Sequence, residues 1–290
     1  MLGGYRENRP EQGSAKLSVR GLTFSYPQGG RVFADVDFRL PRGCVCTILG
    51  RNGIGKTTLL NCIGGYLAPE GGSVLVDGKN VADMPASQRA QQIGFVAQMQ
   101  SSSVDMRVLD YLVLGDIARM GLFAMPHERE YRKAEEVMRE FRIEALAEKP
   151  LSILSGGERQ QVEIARVIVQ NADLILMDEP TNHLDYGNQM KVLQEIRRLA
   201  QERGKTIVLT THMPDHALYL DGYSAVIEEG GKCSFGRASD LVTQDRLRRI
   251  YGVDVLLIYV QELGRWACLS GGASVRDGPA ANRVTSESVL

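Results

Sequence analysis

The sequence has little that would place it in a membrane or in an oxidising compartment. No apolar run approaches the roughly 18 residues that a membrane-spanning helix needs. The first residues are polar and glycine-rich and lack the apolar centre of a signal peptide, so we expect residues 1–15 to be a flexible tail. The five cysteines are odd in number and include no C-x-x-C pair, which is typical of reduced, packed thiols and not of zinc or redox sites.

An excess of charge of either sign is also missing. The 34 basic and 35 acidic residues give a formal net charge of −1 at pH 7, which argues against a broad surface for nucleic acid or anionic lipid. We therefore expect no nucleic-acid partner. Hydrophobic residues make up 43% of the chain and charged residues 24%, the composition of a globular protein with enough apolar side chains for a sizeable core.

A glycine-rich stretch carries the first sign of chemistry. G-R-N-G-I-G-K-T-T at residues 50–58 matches the phosphate-binding pattern G-x-x-x-x-G-K-[ST] and follows an apolar strand predicted at residues 45–49. Glycines let successive N–H groups form a nest for an anion, and the N-terminal end of the next helix adds its positive dipole. Lys56 is suited to reach the β- and γ-phosphates, and the Thr57 hydroxyl to bind Mg²⁺. A glycine turn that binds nothing is less favoured, because both side chains are in register.

Two further stretches join a helix start to a strand end. In L-S-G-G-E-R-Q at residues 154–160, Ser155 is predicted to cap a helix that runs to residue 170, with Glu158 three positions on as in a capping box. The apolar strand at residues 174–177 ends in Asp178 and Glu179. The first carboxylate is suited to hold Mg²⁺ through water, and the second to polarise an attacking water molecule. Taken singly, a well-capped helix and a polar strand end would explain the same residues.

The spacing of apolar residues predicts an α/β fold. Strands alternate with helices after residue 154, which is typical of a mostly parallel sheet covered on both faces. Antiparallel strands are predicted before the glycine-rich stretch, as a short strand pair over residues 16–26 and a strand over 32–40. Further elements are predicted at residues 58–67 (helix), 73–76 and 93–96 (strands), 104–120 and from 126 (helices), 188–203 (helix), 206–210 (strand), 223–228 with 232–235 (hairpin) and 241–251 (helix), before a polar tail beyond about 272.

In this order the motifs resemble those of the ATP-binding subunits of ABC transporters, over nearly the whole of residues 16–250. Residues 50–57 match that family's Walker A motif, residues 154–160 its signature motif and residues 174–179 its Walker B motif. The match departs from the commonest pattern at Arg51 and Ile54. Both positions act mainly through the backbone, so we expect no more than a changed affinity for nucleotide.

Four shorter matches complete the resemblance. Tyr26 stands where the family places the aromatic side chain that stacks on adenine, and Gln98 matches its Q-loop glutamine. Residues 182–185 (N-H-L-D) match its D-loop, and His212 its switch histidine. Without the family, Tyr26 would be interpreted as strand packing and His212 as a satisfied core histidine, which is how we interpret His216.

The resemblance implies a P-loop NTPase (RecA-like) core with a mostly parallel sheet, an N-terminal antiparallel β subdomain and a helical subdomain inserted at about residues 99–153. The ATP-binding domain would cover residues 16–250, followed by a short extension and tail over 251–290. It also implies that the chain hydrolyses ATP with Mg²⁺. The implied catalytic residues are Glu179, His212 and Gln98; the implied Mg²⁺ ligands are Thr57, Gln98 and Asp178; the implied nucleotide-binding residues are Tyr26, Gly50, Asn52, Gly53, Gly55, Lys56, Thr57, Thr58, Ser155, Gly156, Gly157 and Asp185.

The partners follow from the same resemblance. Two chains, identical or alike, would close head to tail around two ATP molecules, so that residues 155–157 of one chain face the γ-phosphate held by the other. Asp185 would span the interface near the twin site. The dimer would lie at the cytoplasmic face of the membrane, held there by separate permease subunits and served by an extracytoplasmic substrate-binding protein.

Finer matches suggest one kind of transporter. T-N-H-L-D at residues 181–185, I-Y-G-V-D-V at 250–255 and M-R-V-L-D at 106–110 with G-L-F at 121–123 resemble importer ATPases for metal chelates, namely iron–siderophore complexes, haem and vitamin B12. The alternatives are the ATPase of another importer or of an exporter, or a soluble ribosome-associated ABC ATPase. A DNA-repair or chromosome-structure ATPase is disfavoured, because the insert is too short for the long coiled coil of that class.

Overall fold

The computed structural model of the chain describes residues 15–98, 105–119 and 125–270. The strands, in chain order, are β1 (Leu17–Ser25), β2 (Arg31–Leu40), β3 (Val45–Leu49), β4 (Gly71–Val76), β5 (Lys79–Asn80), β6 (Ile93–Val96), β7 (Leu174–Met177), β8 (Thr206–Thr211), β9 (Tyr223–Ile227), β10 (Cys233–Arg237), β11 (Val255–Val260) and β12 (Arg265–Ser270). The α-helices are α1 (Lys56–Ile63), α2 (Ala86–Gln92), α3 (Val108–Val113), α4 (Glu128–Phe141), α5 (Gly156–Gln170), α6 (Tyr186–Arg203), α7 (Pro214–Leu220), α8 (Ala238–Leu241) and α9 (Gln244–Tyr251).

The largest sheet carries the glycine-rich loop on a central strand. Its order is β10-β9-β3-β8-β7-β6, and its neighbours pair in parallel except for the antiparallel hairpin of β9 and β10. Every residue of β3 and β7 is buried, as expected for parallel strands covered on both faces. The loops that follow β3, β7 and β8 leave the same edge of the sheet, where ligands of open α/β folds bind. The predicted mostly parallel core is confirmed.

The predicted antiparallel β subdomain is a four-stranded sheet of order β2-β1-β4-β5. Leu59 and Ile63 of α1 belong to one hydrophobic cluster with Leu17 of β1, Val36 of β2 and Ile48 of β3. Helix α1 is therefore packed between this sheet and the parallel one. That packing fixes the N-terminal end of α1 directly after the glycine-rich loop.

The described part of the helical insert packs on α5. Val108 of α3, Met138 of α4 and Val162 of α5 share a second cluster that continues to the parallel sheet. The helix predicted over residues 104–120 begins only at Val108, because Arg107 is extended and forms an antiparallel bridge with Pro150. A 3₁₀ turn, Leu114–Arg119, follows it.

Two N-terminal expectations were wrong in detail. The short strand pair predicted over residues 16–26 is the single strand β1, in which the pairing with β2 shifts register between Val19 and Leu22 and Gly21 has a φ of 53°. The break that a strand pair would require is therefore a bulge inside one strand. Helix α1 begins two residues before the predicted start and ends at Ile63, where Gly65 takes a φ of 70°.

The C-terminal part differs more from expectation. The helix predicted over residues 241–251 is two helices, α8 and α9, and the Thr243 side chain caps the second by accepting from the Arg246 amide. The predicted extension holds an antiparallel hairpin, β11 and β12, that no pattern indicated. The tails at residues 1–14 and 271–290 and the segment G-L-F at 121–123 lie outside the described residues. None of the helices in the described ranges has both the length and the apolar composition to span a membrane.

Candidate nucleotide site

The loop between β3 and α1 has the backbone shape that anion binding needs. Gly53 and Gly55 have φ values of 78° and 111°, a left-handed conformation that glycine adopts without strain. Gly50 is needed for a close approach, since a Cβ there would lie 2.9 Å from the carbonyl oxygen of Ile227. A Cβ on Gly55 would overlap Val32 of β2. The loop therefore presents backbone N–H groups and the start of α1 to one cleft.

That cleft has a volume of about 550 Å³. Its lining contains most of the predicted nucleotide-binding residues together with two that were not predicted, and consists of Tyr26, Val32, Asn52, Gly53, Gly55, Lys56, Thr57, Thr58, Gln98, Glu179 and Asn182. Tyr26 is 46% exposed, and its hydroxyl lies 3.0 Å from the Thr58 hydroxyl. Its ring meets Phe24 edge to face with 5.0 Å between centroids, so the ring has one side against the strand.

Lys56 is the most buried charged side chain of this lining, with 5% of it exposed. Its ammonium group donates to the carbonyl oxygens of Gly50 and Arg51, each at 3.1 Å. It also lies 3.2 Å from Oε1 of Glu179. The loop therefore places the deeply buried Lys56 side chain directly beside the candidate catalytic carboxylate.

Asp178 ties the glycine-rich loop to the ends of β7 and β8. Its Oδ1 accepts from the Thr57 hydroxyl at 3.0 Å and from the Thr210 hydroxyl at 2.6 Å. Threonine and aspartate oxygens side by side are a donor set that suits Mg²⁺, which takes one or two protein ligands and completes its shell with phosphate and water. No cluster of three histidine, cysteine or acidic side chains in the described part of the chain could hold a metal by itself. The residues present thus fit an ion that arrives with a phosphate ligand.

Glu179 sits in a conformation that few glutamates adopt. Its φ is 45°, its amide donates to the Thr210 hydroxyl at 2.7 Å, and only 12% of its side chain is exposed. The His212 Nδ1 lies 2.9 Å from Oε2 of Glu179, and the other carboxylate oxygen faces Lys56. Strained backbone of this kind persists where the surrounding structure holds it, commonly at functional sites.

His216 behaves as the structural histidine that the sequence suggested. It is 6% exposed, and its Nδ1 lies 3.0 Å from the Thr211 hydroxyl. Burial, helped by the neighbouring His212, lowers the pKa of His216 to about 4, so its ring is neutral at pH 7. It packs beneath the site and leaves the imidazole of His212, 37% exposed, as the one that faces Glu179.

The remaining predicted residues form a second cluster away from the cleft. Ser155 caps α5 and forms the predicted capping box with Glu158. Asp185 caps α6 by accepting from the Asn188 amide, and that hydrogen bond lowers the pKa of Asp185. A Cβ on Gly157 would lie 2.8 Å from the Asn188 side chain, so the two helix starts are in contact. In the described residues, none of Ser155, Gly156, Gly157 and Asp185 lines the cleft of the same chain.

Three residues at or beside the cleft were not predicted from the sequence. Thr210 holds both acidic residues of the strand end, while Val32 and Asn182 line the cleft. Asn182 belongs to the matched D-loop, residues 182–185, but only Asp185 of that motif was given a role. Thr210 could have been found from the rule that polar residues at the carboxyl ends of neighbouring parallel strands meet.

Comparisons with known proteins agree with this geometry. A family model described as ABC transporter matches residues 33–182. The iron(3+)-hydroxamate import ATP-binding protein of Bacillus subtilis is 29% identical, over 88% of this chain and 94% of the relative. The molybdate import ATP-binding protein of Haemophilus influenzae is 33% identical, over 81% of this chain and 87% of the relative. A solved structure described as a metal-chelate type ABC transporter in an inward-facing conformation superposes with a TM-score of 0.79 at 30% identity, covering 90% of this chain and 98% of that one.

Proposed function

The chain belongs to the ABC transporter family as an ATP-binding subunit, and from that premise we propose that it energises the import of metal chelates, with iron–siderophore complexes, haem and cobalamin-type compounds as the candidates. The observation that carries the hydrolytic part of the proposal is the meeting of Lys56, Asp178, Glu179 and His212 at one edge of the parallel sheet, whereas the substrate class rests on the relatives. Hydrolysis of ATP is the activity of this family of domains. The roles of single residues and the substrate are the proposed part.

The positions of four side chains at the cleft support a specific role for each of them. Tyr26 offers a half-exposed ring for the adenine, and the loop amides with Lys56 hold the phosphates. Glu179 orients and deprotonates the attacking water, because it is a carboxylate at the end of a strand facing the phosphate site. His212 contacts the γ-phosphate and holds Glu179 in place through the 2.9 Å contact of its Nδ1.

Thr57, Asp178 and Gln98 are the proposed residues for Mg²⁺. When bound, the ion would neutralise charge on the β- and γ-phosphates. Asp178 is kept in position for it by the Thr210 hydroxyl. Gln98 lines the cleft at the end of β6 and so can report the state of the nucleotide to the helical insert that follows.

A dimer completes the proposed site. Subunits of this family work as dimers with membrane permease components. The exposed N-terminal end of α5, with Ser155, Gly156 and Gly157, is suited to bind an anion and does not line the cleft of its own chain. A two-fold axis would place this end against the cleft of a second copy. We place such a dimer, of this chain or of two like chains, at the cytoplasmic face of the membrane, held by permease subunits that receive substrate from an extracytoplasmic binding protein.

The substrate class rests on the relatives, and they do not all agree. One relative is named for iron(3+)-hydroxamate and the similar structure for metal chelates, whereas another relative is named for molybdate. An ATPase subunit does not touch the transported compound, so its own residues carry little record of it. Molybdate import is therefore the second candidate.

The test is transport by the full complex. The chain is reconstituted in liposomes with the permease and binding protein that co-purify with it, and uptake of ferric hydroxamate, haem, cobalamin and molybdate is measured. We expect ATP-dependent uptake of a metal chelate. The matched control is Glu179→Gln, which should keep ATP binding but lose turnover and uptake by orders of magnitude.

Each other outcome rejects a stated part of the proposal. Uptake of molybdate alone would replace the substrate class. Movement of substrate out of the cytoplasmic compartment would identify an exporter, and co-purification of ribosomes without a permease would identify a soluble ABC ATPase. Hydrolysis by Glu179→Gln at the parental rate would reject the role of Glu179.

A further inference from the structure

The C-terminal part of the chain reaches back to the catalytic edge of the sheet. Tyr251 is the last residue of α9, and the left-handed Gly252 (φ 70°) ends the helix directly after it. The Tyr251 ring packs on a third hydrophobic cluster, which includes Leu49, the last residue of β3, and Leu218 of α7. The ring is thus anchored between the start of the glycine-rich loop and the helix that follows His212.

The hydroxyl of Tyr251 donates to the main-chain carbonyl oxygen of His212 at 2.7 Å. His212 lies on a connection of two residues between Thr211, which ends β8, and Pro214, which begins α7. The Met213 amide donates to the Thr211 hydroxyl within this connection. A side-chain hydrogen bond to the carbonyl of His212 therefore fixes the peptide from which the imidazole extends toward Glu179.

We infer that Tyr251 is a positioning residue for ATP hydrolysis: its hydroxyl holds the main chain of His212 so that the imidazole stays against Glu179. The inference rests on the proposed roles of His212 and Glu179. It assigns to the segment after residue 243 a function at the catalytic site, in addition to its packing against α7. Tyr251 itself does not line the nucleotide cleft, so it acts only through His212.

The environment of the hydroxyl suits this role. Burial, with smaller contributions from the nearby Cys268 thiol and Glu179 carboxylate, raises the pKa of Tyr251, so its hydroxyl remains a donor at any physiological pH. The β11–β12 hairpin adds to the anchor, because the Cys268 amide donates to Asp215 of α7 at 2.8 Å, and Leu257 and Cys268 pack on the same cluster as Tyr251.

The test compares two variants that each remove one hydrogen-bonded tyrosine hydroxyl. Tyr251→Phe keeps the ring and loses the bond to His212, whereas the control Tyr131→Phe loses a 3.1 Å bond to Asp110 in the helical insert. ATP turnover is measured against ATP concentration for the full-length chain assembled with its permease. We expect Tyr251→Phe to lower kcat roughly five-fold with an unchanged KM, because the groups that hold the nucleotide are untouched. Tyr131→Phe should turn over at the parental rate.

A double-mutant cycle separates positioning from a general loss of stability. In a His212→Ala background, Tyr251→Phe should have no further effect on kcat, since the group that it positions is absent. Thermal unfolding of each variant, followed by circular dichroism, shows whether the fold is kept.

Three results would overturn the inference. The first is a parental kcat for Tyr251→Phe beside an impaired His212→Ala, which rejects the positioning role alone and leaves the proposed function standing. The second is an undiminished effect of Tyr251→Phe in the His212→Ala background, or an equal fall in kcat with Tyr131→Phe. The third is parental turnover by His212→Ala, which rejects the proposed role of the histidine and the inference with it.

Discussion

At the scale of single residues, two histidines four positions apart differ in exposure and in hydrogen-bond partner. His212 stands at the end of β8 with its ring partly exposed and its Nδ1 on Glu179. His216 is buried in α7, and its Nδ1 meets the Thr211 hydroxyl. A lone histidine after a strand gives no sign of which role it takes, and here the distinction depends on burial.

The buried histidine predicts a loss of stability in acid. The folded-state pKa of His216 is about 4, below the value of about 6.5 expected in the unfolded chain, so the unfolded state binds more protons between these values. Its contribution is constant above pH 6.5 and is lost as the pH falls toward 4. Between pH 7.5 and pH 5 the free energy of unfolding should fall by about 2 kcal/mol through this residue.

Urea unfolding at both pH values measures that fall. The matched variant is His216→Asn, whose amide oxygen can accept the Thr211 hydroxyl but does not titrate. Its free energy of unfolding should depend less on pH than that of the parent by the same amount. An equal pH dependence in the two proteins would contradict the assignment.

At the scale of elements, the absence of a side chain at Gly157 allows the starts of α5 and α6 to lie close together. A methyl group at this position would press on the Asn188 side chain. The same glycine is proposed to face the nucleotide of a second chain. Gly157 can thus be required for helix packing, for nucleotide contact, or for both. The two requirements predict different results when a second substitution makes room for a side chain at position 157.

Gly157→Ala should lower both the thermal midpoint and ATP turnover. Adding Asn188→Ala removes the clash, because the second truncation leaves room for the new methyl group. We expect the double variant to recover most of the thermal midpoint but not the turnover, since the methyl group would still face the partner's phosphate. Recovery of both would mean that Gly157 is needed for packing alone.

The elements also show which helices and strands a sequence pattern can predict. Strands β3, β6 and β7 and helix α5 have the predicted bounds, because each is an apolar run or a capped amphipathic helix with clear ends. Helix α2 was missed since it contains no buried residue and hence no periodicity. The β11–β12 hairpin was missed for the opposite reason. Its apolar side chains occur on both faces, with Leu256 and Leu269 about half exposed, so no alternation marks it as a strand pair.

More of the candidate site than of the surrounding fold could be predicted from the sequence. Motif spacing alone indicated Lys56, Thr57, Asp178 and Glu179, and the structure pairs Thr57 with Asp178 at 3.0 Å and Lys56 with Glu179 at 3.2 Å. Contacts between elements that are distant in sequence could not be predicted. The bond from Tyr251 to the carbonyl of His212 spans 39 positions, and although each residue lies in a matched stretch, neither stretch indicates a contact with the other.

At the scale of the whole molecule, the two separate clusters of predicted residues are the basis of the proposal that each site is built from two chains. The cleft with Lys56 and the exposed helix start with Ser155 are separate surfaces of one subunit. In the proposed dimer, a second copy placed head to tail brings one against the other. This arrangement can be tested by distributing two inactivating changes between the subunits.

Two differently tagged forms of the chain are assembled with the permease so that each dimer carries Lys56→Ala and Ser155→Arg once. If the two changes are on different chains, one site keeps an intact glycine-rich loop and an intact partner surface. If both are on one chain, each site is damaged. We expect ATP turnover and retained nucleotide only in the first case. The number of changes is equal in both, so the reverse result would show that each site is built within one chain.

The left-handed backbone of Glu179 has a consequence for protein engineering. A φ of 45° is disfavoured for glutamate but is tolerated by asparagine, aspartate and glycine. A search for stabilising variants that scores backbone conformation alone would therefore favour asparagine or glycine at position 179, relaxing about 1 kcal/mol of backbone strain but removing the carboxylate that pairs with buried Lys56 and is proposed to activate water. Stabilisation of this subunit should exclude position 179 from the design and seek its gains on the surfaces that the nucleotide and the second chain do not touch.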